Sequence, residues 1–227
     1  MTQEQAKKNA GVAAAALIQS DMLVGLGTGS TAFYLIDELG RRCAQEGLKI
    51  QAVASSTTTR EQAQKNRIPL VPIDDITCLD ITVDGADEID KEKRMIKGGG
   101  GALLREKIVA SMSREMVVIV DETKLVSRLG KCKLPVEIIP FGLKATTHQL
   151  EKLGFQGTWR KNQEGSFFVT DNGNYIFDIH FQEPLDNPQE QHEALIHLPA
   201  VVETGFFFNL AGRVVIGFLD GQVIIRE

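Results

Sequence analysis

Residues 22–39 read MLVGLGTGSTAFYLIDEL, and their order decides the fold. Met22 to Leu26 is a short apolar run, Gly27-Thr28-Gly29-Ser30-Thr31 is a loop of glycines and hydroxyls, and the residues through Leu39 have helical periodicity. Around this stretch the same alternation continues. An amphipathic helix is predicted at about 3–18, and LKIQAVA (48–54) makes a second strand that ends in Ser55-Ser56-Thr57-Thr58-Thr59. A helix starts between Arg60 and Asn66, LDITVDGAD (79–87) supplies a third strand, Ala102 to Met112 a helix and MVVIVD (116–121) a fourth strand. Strands alternating with helical segments predict an α/β fold, a Rossmann-like parallel sheet with helices on both faces.

The texture changes near Lys131. LPVEIIP is bracketed by prolines, a helix is predicted near 145–153, and FFVTDNGNYIFDI reads as two strands around an Asn-Gly turn. Gln189 to His197 is helical in pattern, and VVIGFLDGQVII makes a closing hairpin with Asp-Gly at its tip, its strands rejoining the first sheet. The expected organisation is a Rossmann-like catalytic domain over 1–130 and 206–227 and a smaller α+β domain over 131–205.

With 227 residues, 43% hydrophobic and 24% charged, the chain has the makeup of an ordinary globular protein. A net charge of -5 argues against a nucleic-acid partner, whose phosphates demand clustered lysine and arginine, yet leaves room for a small anion in a local cationic pocket. Cys43, Cys78 and Cys132 have neither the number nor the spacing of a disulfide framework or a zinc site. Lys7-Lys8 followed by GVAAAALI imitates a signal peptide, but Ala10, Ala13, Ala14, Leu17 and Ile18 share one helical face. Thr2 to Gln5 spells a capping box, and no A-x-A cleavage region follows. No apolar run approaches the length of a membrane span, and a cytoplasmic location is expected.

In open parallel sheets ligands bind beyond the carboxyl ends of the strands. The loop after the first strand contains Gly27-x-Gly29-x-x-Ala32, a formal match to the dinucleotide fingerprint, but the acid expected at the end of the second strand is replaced by serines and threonines. Glycines followed by Ser30 and Thr31 at a helix start suit a single phosphate as well, or simply form a tight turn with an N-cap hydroxyl. The SSTTT loop repeats the hydroxyl theme. Asp84 and Asp87 flank Gly85-Ala86 at the third strand's end, where a turn would bring both carboxylates into one crevice. They could share acid/base work, hold a hard cation with Glu88 and Asp90, or serve as turn and cap residues.

Lys97 precedes Gly98-Gly99-Gly100-Gly101, and five residues beyond the last glycine stands Glu106. A helix beginning near Gly101 would put Glu106 in its second turn, leaning back toward the glycines. Beside Lys107 that glutamate would ordinarily belong to a solvated face. Bare amides at a helix start, however, can hold oxygens or developing negative charge. A carboxylate base, a lysine, two aspartates and amide or hydroxyl donors fit proton abstraction next to a carbonyl through an enediolate, a scheme that needs neither a cofactor nor a nucleophilic triad.

Together GTGST, VDGADEID, IKGGGGALLREK and LPVEIIP, in this order and spacing, closely resemble type A ribose-5-phosphate isomerase over the whole chain. The resemblance implies a metal-independent aldose-ketose isomerase of the non-oxidative pentose phosphate pathway, interconverting D-ribose 5-phosphate and D-ribulose 5-phosphate. It implies Glu106 as the base between C2 and C1, and Asp84 and Asp87 in ring opening and oxygen proton transfer. It further implies Lys97 with the Gly98, Gly99 and Gly100 amides at the enediolate. Thr28, Gly29, Ser30 and Thr31, with Gly85 and Ala86, would line the site, and Lys124 and Lys7 would reach the phosphate. Family members are usually homodimers and sometimes tetramers. A non-catalytic sugar-phosphate sensor of related fold is the alternative; it would need a basic helix-turn-helix head, for which there is no room before Lys7. A coenzyme A transferase with a glutamate nucleophile would leave the paired carboxylates and the lysine without a purpose.

Overall fold

Strand Leu23–Leu26 has the next two strands of the chain on its two sides, and that arrangement determines which loops share an edge. In the computed structural model, which describes residues 1–227, the elements in chain order are α1 (Gln3–Ala15), β1 (Leu23–Leu26), α2 (Ser30–Gln45), β2 (Gln51–Ala54), α3 (Thr57–Lys65) and β3 (Ile81–Gly85). There follow β4 (Glu88–Ile89), β5 (Met95–Ile96), α4 (Leu103–Ser111), β6 (Met116–Asp121), β7 (Leu134–Ile138), α5 (Leu143–Lys152), β8 (Gly157–Trp159) and β9 (Tyr175–Ile179). The chain ends with α6 (Pro188–Ile196), β10 (Val201–Thr204), β11 (Phe206–Phe207), β12 (Ala211–Gly217) and β13 (Val223–Arg226). Two compact units result, one of Met1–Ala86, Arg105–Leu125 and Asn209–Glu227, the other of Asp87–Leu104 and Val126–Phe208.

The first unit holds a six-stranded sheet of order β13-β12-β6-β3-β1-β2, parallel except for the antiparallel edge strand β13. The expected α/β parallel sheet is therefore present, and the closing hairpin rejoins it through β12 beside β6. Buried along its whole length, β6 is an unbroken apolar run up to Asp121, as a central parallel strand with both faces covered requires. One core gathers Ala10, Ala14 and Ile18 with Leu35, Leu39, Val24, Leu26, Val83 and Ile119; a smaller one joins Val53, Leu79 and Val109.

Local chemistry sets the helix ends. The Thr2 hydroxyl accepts from the Gln5 amide and starts α1, but the Gln5 side chain donates to Asn9 rather than back to the cap, so half of the capping box forms. Extending six residues past Leu39, α2 runs through Gly40, where glycine is needed because a Cβ would lie 2.6 Å from the Asn66 Cβ. Mid-helix glycine costs about 0.5–1 kcal/mol relative to alanine, less than the ~1–3 kcal/mol of overpacking. Ser56 caps α3 by accepting from the Thr59 amide, which starts that helix at Thr57, earlier than the apolar pattern suggests.

In the second unit a four-stranded sheet of order β10-β7-β9-β8 is antiparallel throughout, and β11-β5-β4 makes a small three-stranded sheet. Leu134, Val136 and Ile138 pack with Leu150, Phe177, Ile179, Leu195 and Phe206. The expected pair of strands around Asn172-Gly173 is realised on one side only. Tyr175–Ile179 is β9, while the 167–169 side touches by isolated bridges, and β8 takes the neighbouring place in the sheet.

On the sheet face opposite that core, Asp178 is 2% exposed and accepts from Lys133 Nζ at 2.6 Å, Arg160 Nε at 2.9 Å and a terminal Arg160 nitrogen at 2.5 Å. Burial pushes the Asp178 carboxyl up, but the hydrogen bonds from Arg160 and Lys133 outweigh it and hold the group below its ordinary value. The stabilisation is thus whole above the unfolded aspartate value of about 3.9 and is lost as pH falls through the lower folded value. Denaturation curves recorded down from neutral pH should show a loss of stability below about pH 4 that is shallower in Asp178→Asn; superimposable slopes would show that this clamp adds nothing to acid stability.

Candidate active site

In the first unit β1 lies between β2 and β3, so the chain leaves β1 toward one neighbour and returns on the other side. The loops after β1 and β3 therefore diverge at a switch point, the place where open α/β sheets leave a crevice. Register puts Leu26 beside Val83, and the Gly27 amide continues the ladder to the Val83 carbonyl at 3.0 Å. Asp84, 1% exposed, follows directly and accepts from the Thr28 amide at 3.1 Å and the Gly85 amide at 2.7 Å through Oδ1. A Cβ at Gly27 would lie 2.1 Å from Asp84 Oδ1 and 2.5 Å from its Cβ. The glycine is present because a carboxylate occupies the space of its side chain.

The two hydroxyl loops interlock. Thr28 Oγ1 lies 2.9 Å from Ser55 Oγ, 2.8 Å from Ser56 Oγ and 3.1 Å from Thr59 Oγ1, and Thr59 Oγ1 donates to the Gly27 carbonyl at 2.9 Å. Ser55, Ser56 and Thr59 are buried, so the SSTTT hydroxyls brace the β1 loop more than they face outward. Beyond this brace Gly29 occupies the N-cap of α2 with φ of 121° and offers no side chain to the first-turn amides. Ser30 is exposed and Thr31 buried at that helix start.

At the same sheet edge, Asp121 at the end of β6 accepts from the Thr123 amide and opens the short 3-10 turn Glu122–Lys124. Gln3 Nε2 reaches Asp121 at 3.3 Å and Thr123 Oγ1 at 3.0 Å. One helical turn along the same face of α1 stands Lys7, partly buried and 3.8 Å from Glu4. Both lysines expected at the phosphate thus belong to elements that Gln3 ties together. Nothing in the sequence marks Gln3, and Asp121 is marked only by standing two residues before a threonine at a strand end, a local turn motif.

Within the second unit, taken by itself, a different set of groups occurs. Gly98 to Gly101 form a tight turn in which the Gly101 amide donates to the Gly98 carbonyl at 2.9 Å, and the Gly99 amide donates to Asp87 Oδ2 at 2.8 Å. Asp87 caps no helix. Lys97, 2% exposed, has its Nζ 5.4 Å from the centre of the Phe207 ring, a cation-π arrangement. Glu88 accepts from the Gly130 and Cys132 amides, and Asp90 from the Glu92 and Arg94 amides and the Arg94 side chain. Those two acids are occupied in holding backbone. No group of three or more His, Cys, Asp or Glu side chains forms a metal-binding cluster.

Helix α4 starts at Leu103, not near Gly101, because Gly101 has φ of 86° and cannot be helical. Glu106 is accordingly in the first turn rather than the second, and it is 4% exposed. It does not lie on a solvated face. A buried carboxylate in the first helical turn is costly to stability, which makes Glu106 a candidate functional group.

A family model described as ribose 5-phosphate isomerase A (phosphoriboisomerase A) matches residues 51–221. The chain is similar to ribose-5-phosphate isomerase A of Protochlamydia amoebophila, 54% identical over 221 residues that cover 97% of this chain and 95% of that protein. Among solved structures it is similar to ribose 5-phosphate isomerase from Plasmodium falciparum, with a TM-score of 0.94, 37% identity and coverage of 99% and 98%. It is equally similar to a D-ribose-5-phosphate isomerase in complex with phospho-erythronic acid, with a TM-score of 0.94, 36% identity and full coverage of both chains. No helix is long and apolar enough to cross a membrane.

The contact at Gly27 can be tested directly. Because the clashing atoms include the Asp84 Cβ, a side-chain rotation cannot relieve Gly27→Ala, and the variant should lose about 1–3 kcal/mol in urea denaturation. An unchanged midpoint would mean that β1 and β3 are not held at this separation.

Proposed function

Since the chain belongs to the ribose 5-phosphate isomerase A family, and interconverts D-ribose 5-phosphate and D-ribulose 5-phosphate in the pentose phosphate pathway, we propose that Glu106 is the base that carries the proton between C2 and C1. In the open-chain aldose the Glu106 carboxylate takes the C2 proton. The C–H electron pair becomes the C1–C2 double bond and the carbonyl π pair moves onto O1, giving an enediolate. A proton passes from O2 to O1, Glu106 returns its proton to C1, and O2 becomes the ketone oxygen. Hydrogen leaves and returns as a proton, so the balance closes with no redox partner.

Asp84 and Asp87 serve ring opening and the traffic of protons between oxygens. Lys97 and the Gly98 and Gly100 amides offset the enediolate charge, where one preorganised donor is typically worth ~10²–10³ in rate, while the Gly99 amide, expected beside them, instead holds Asp87. Thr28, Gly29, Ser30 and Thr31, with Gly85 and Ala86, line the sugar phosphate, and Lys124 and Lys7 take the phosphate itself. The uncapped first turn of α2 supports an anion there. Phospho-erythronic acid, bound by the fully aligned relative, supports the same ligand class here, because its carboxylate spreads one negative charge over two oxygens as an enediolate does. The relatives lend the sensor alternative no support.

We read the smaller α+β part as the source of subunit contacts in a homodimer, or a tetramer built from it; its exposed apolar side chains Ile139, Phe141, Leu153, Phe167 and Val169, with Phe141 at 81%, support this. The absence of a disulfide among Cys43, Cys78 and Cys132 supports a reducing, cytoplasmic setting.

The burial of Glu106 in the first turn of α4 carries the assignment. Glu106→Gln should lose at least ~10²–10⁴-fold in kcat while still binding phospho-erythronic acid, and in deuterated water the wild type alone should place label on the product carbon. Near-normal turnover in the variant removes Glu106 from the base role. Lys124→Ala should raise KM more than it lowers kcat, whereas a pure loss of kcat would show that this lysine does not capture phosphate.

A further inference from the structure

The second unit contains a charged cluster that the proposed roles do not use, and it grips the glycine turn from behind. One Arg160 terminal nitrogen donates to the Gly98 carbonyl at 3.0 Å and to the Gly99 carbonyl at 3.1 Å. Those oxygens belong to the peptide groups whose N–H bonds are those of Gly99 and Gly100. In a trans peptide the C=O and N–H point opposite ways, so holding both oxygens turns both N–H groups away from the guanidinium. The Gly99 N–H accordingly meets Asp87 Oδ2 at 2.8 Å on the far side. Gly98 and Gly101 have φ of 99° and 86°, and a chain this permissive does not fix its own peptide planes.

Arg160 itself is fixed from three directions. Asp178 receives it as a fork, the Phe168 ring lies 5.7 Å from the guanidinium carbon, and the Arg160 amide and carbonyl are bonded to Ile176 and Phe168. Phe168 also fills the space where a Gly101 Cβ would go, 2.5 Å from its ring. With Lys133 on the same carboxylate the cluster has one cation in excess. Its field polarises the two peptides so that negative charge gathers on the held oxygens and the N–H ends become stronger donors.

We infer that Arg160, clamped by Asp178, is a positioning residue for the isomerisation: it orients and polarises the Gly99 amide that holds Asp87 and the Gly100 amide that offsets the enediolate charge. The inference rests on the proposed role of those amides. It predicts an effect on the transition state rather than on substrate capture, since the ground-state sugar carries no charge on the oxygens concerned.

Arg160→Lys keeps the charge and abolishes the fork. Expected are a kcat lower by about 10²-fold, a KM for ribose 5-phosphate within about threefold of wild type, and weaker binding of phospho-erythronic acid. Millimolar guanidinium should restore part of the kcat lost in Arg160→Ala. A folded Arg160→Lys with wild-type kcat, or a loss that merely follows the fraction unfolded, overturns the inference. Should the Arg160 variants melt below the assay temperature, Asp178→Asn decides by the same criterion, a fall in kcat of the folded enzyme against none. Glu106→Gln separates the two levels: if it is inactive while folded Arg160→Lys is unimpaired, only the positioning role falls, and if it is active the base assignment falls first.

Discussion

The close approach of β1 and β3 at Gly27 and Asp84 is the constraint from which the larger unit's chemistry follows. Two parallel strands about 4.8 Å apart leave little room for a carboxylate at the end of one unless the other lacks a side chain there. With that room provided, Asp84 is held by backbone donors from both strands' loops, and Thr28 is placed where it can bond to the hydroxyls of the β2 loop. The β1, β2 and β3 loops thus form one hydrogen-bonded assembly. A shift at any of them is resisted by the other two.

A second theme is that peptide groups, not only side chains, are positioned. Asp84, Asp87, Glu88, Asp90 and Asp121 each accept from main-chain amides, so acids at the ends of β3, β4 and β6 are used to hold loop backbone. Such bonds to charged groups are worth roughly 1.5–3 kcal/mol each, more than a neutral pair. They favour loops with one conformation over loops that adapt. That suits a reaction in which charge appears briefly on substrate oxygens and there is no time for the surroundings to reorganise.

The architecture was legible wherever periodicity and burial agree. MVVIVD could be little else than a central parallel strand, and the Gly27 to Thr31 loop announced a strand-to-helix turn with room for an anion. Helix limits were less legible: nothing local says that Gly40 lies inside α2, because the residue that requires a glycine there is Asn66 at the end of α3, and nothing about GGGGALLREK says that the last glycine has left-handed backbone. The same holds for the charged cluster. Arg160 and Asp178 lie some sixty and eighty residues beyond the glycines they serve and have no motif of their own, so only the folded sheet brings them together. Short strands such as β10 and β11 escaped notice since a few residues cannot display a period.

The two ends of the chain depend on each other. Helix α1 packs on β6 and β12, the Ala6 carbonyl lies against Gly217, and the terminal ammonium of Met1 donates to the Leu219 carbonyl at 2.6 Å. Helix α1 can pack on α2 early, but its contacts with β12 wait until Ala211–Gly217 has been made, so the parallel sheet is completed through contacts of very long sequence separation. Until β12 emerges, a nascent chain leaves one edge of β6 unpaired and open to aggregation and proteases. A chain cut before β12 lacks the strand against which both α1 and β6 rest.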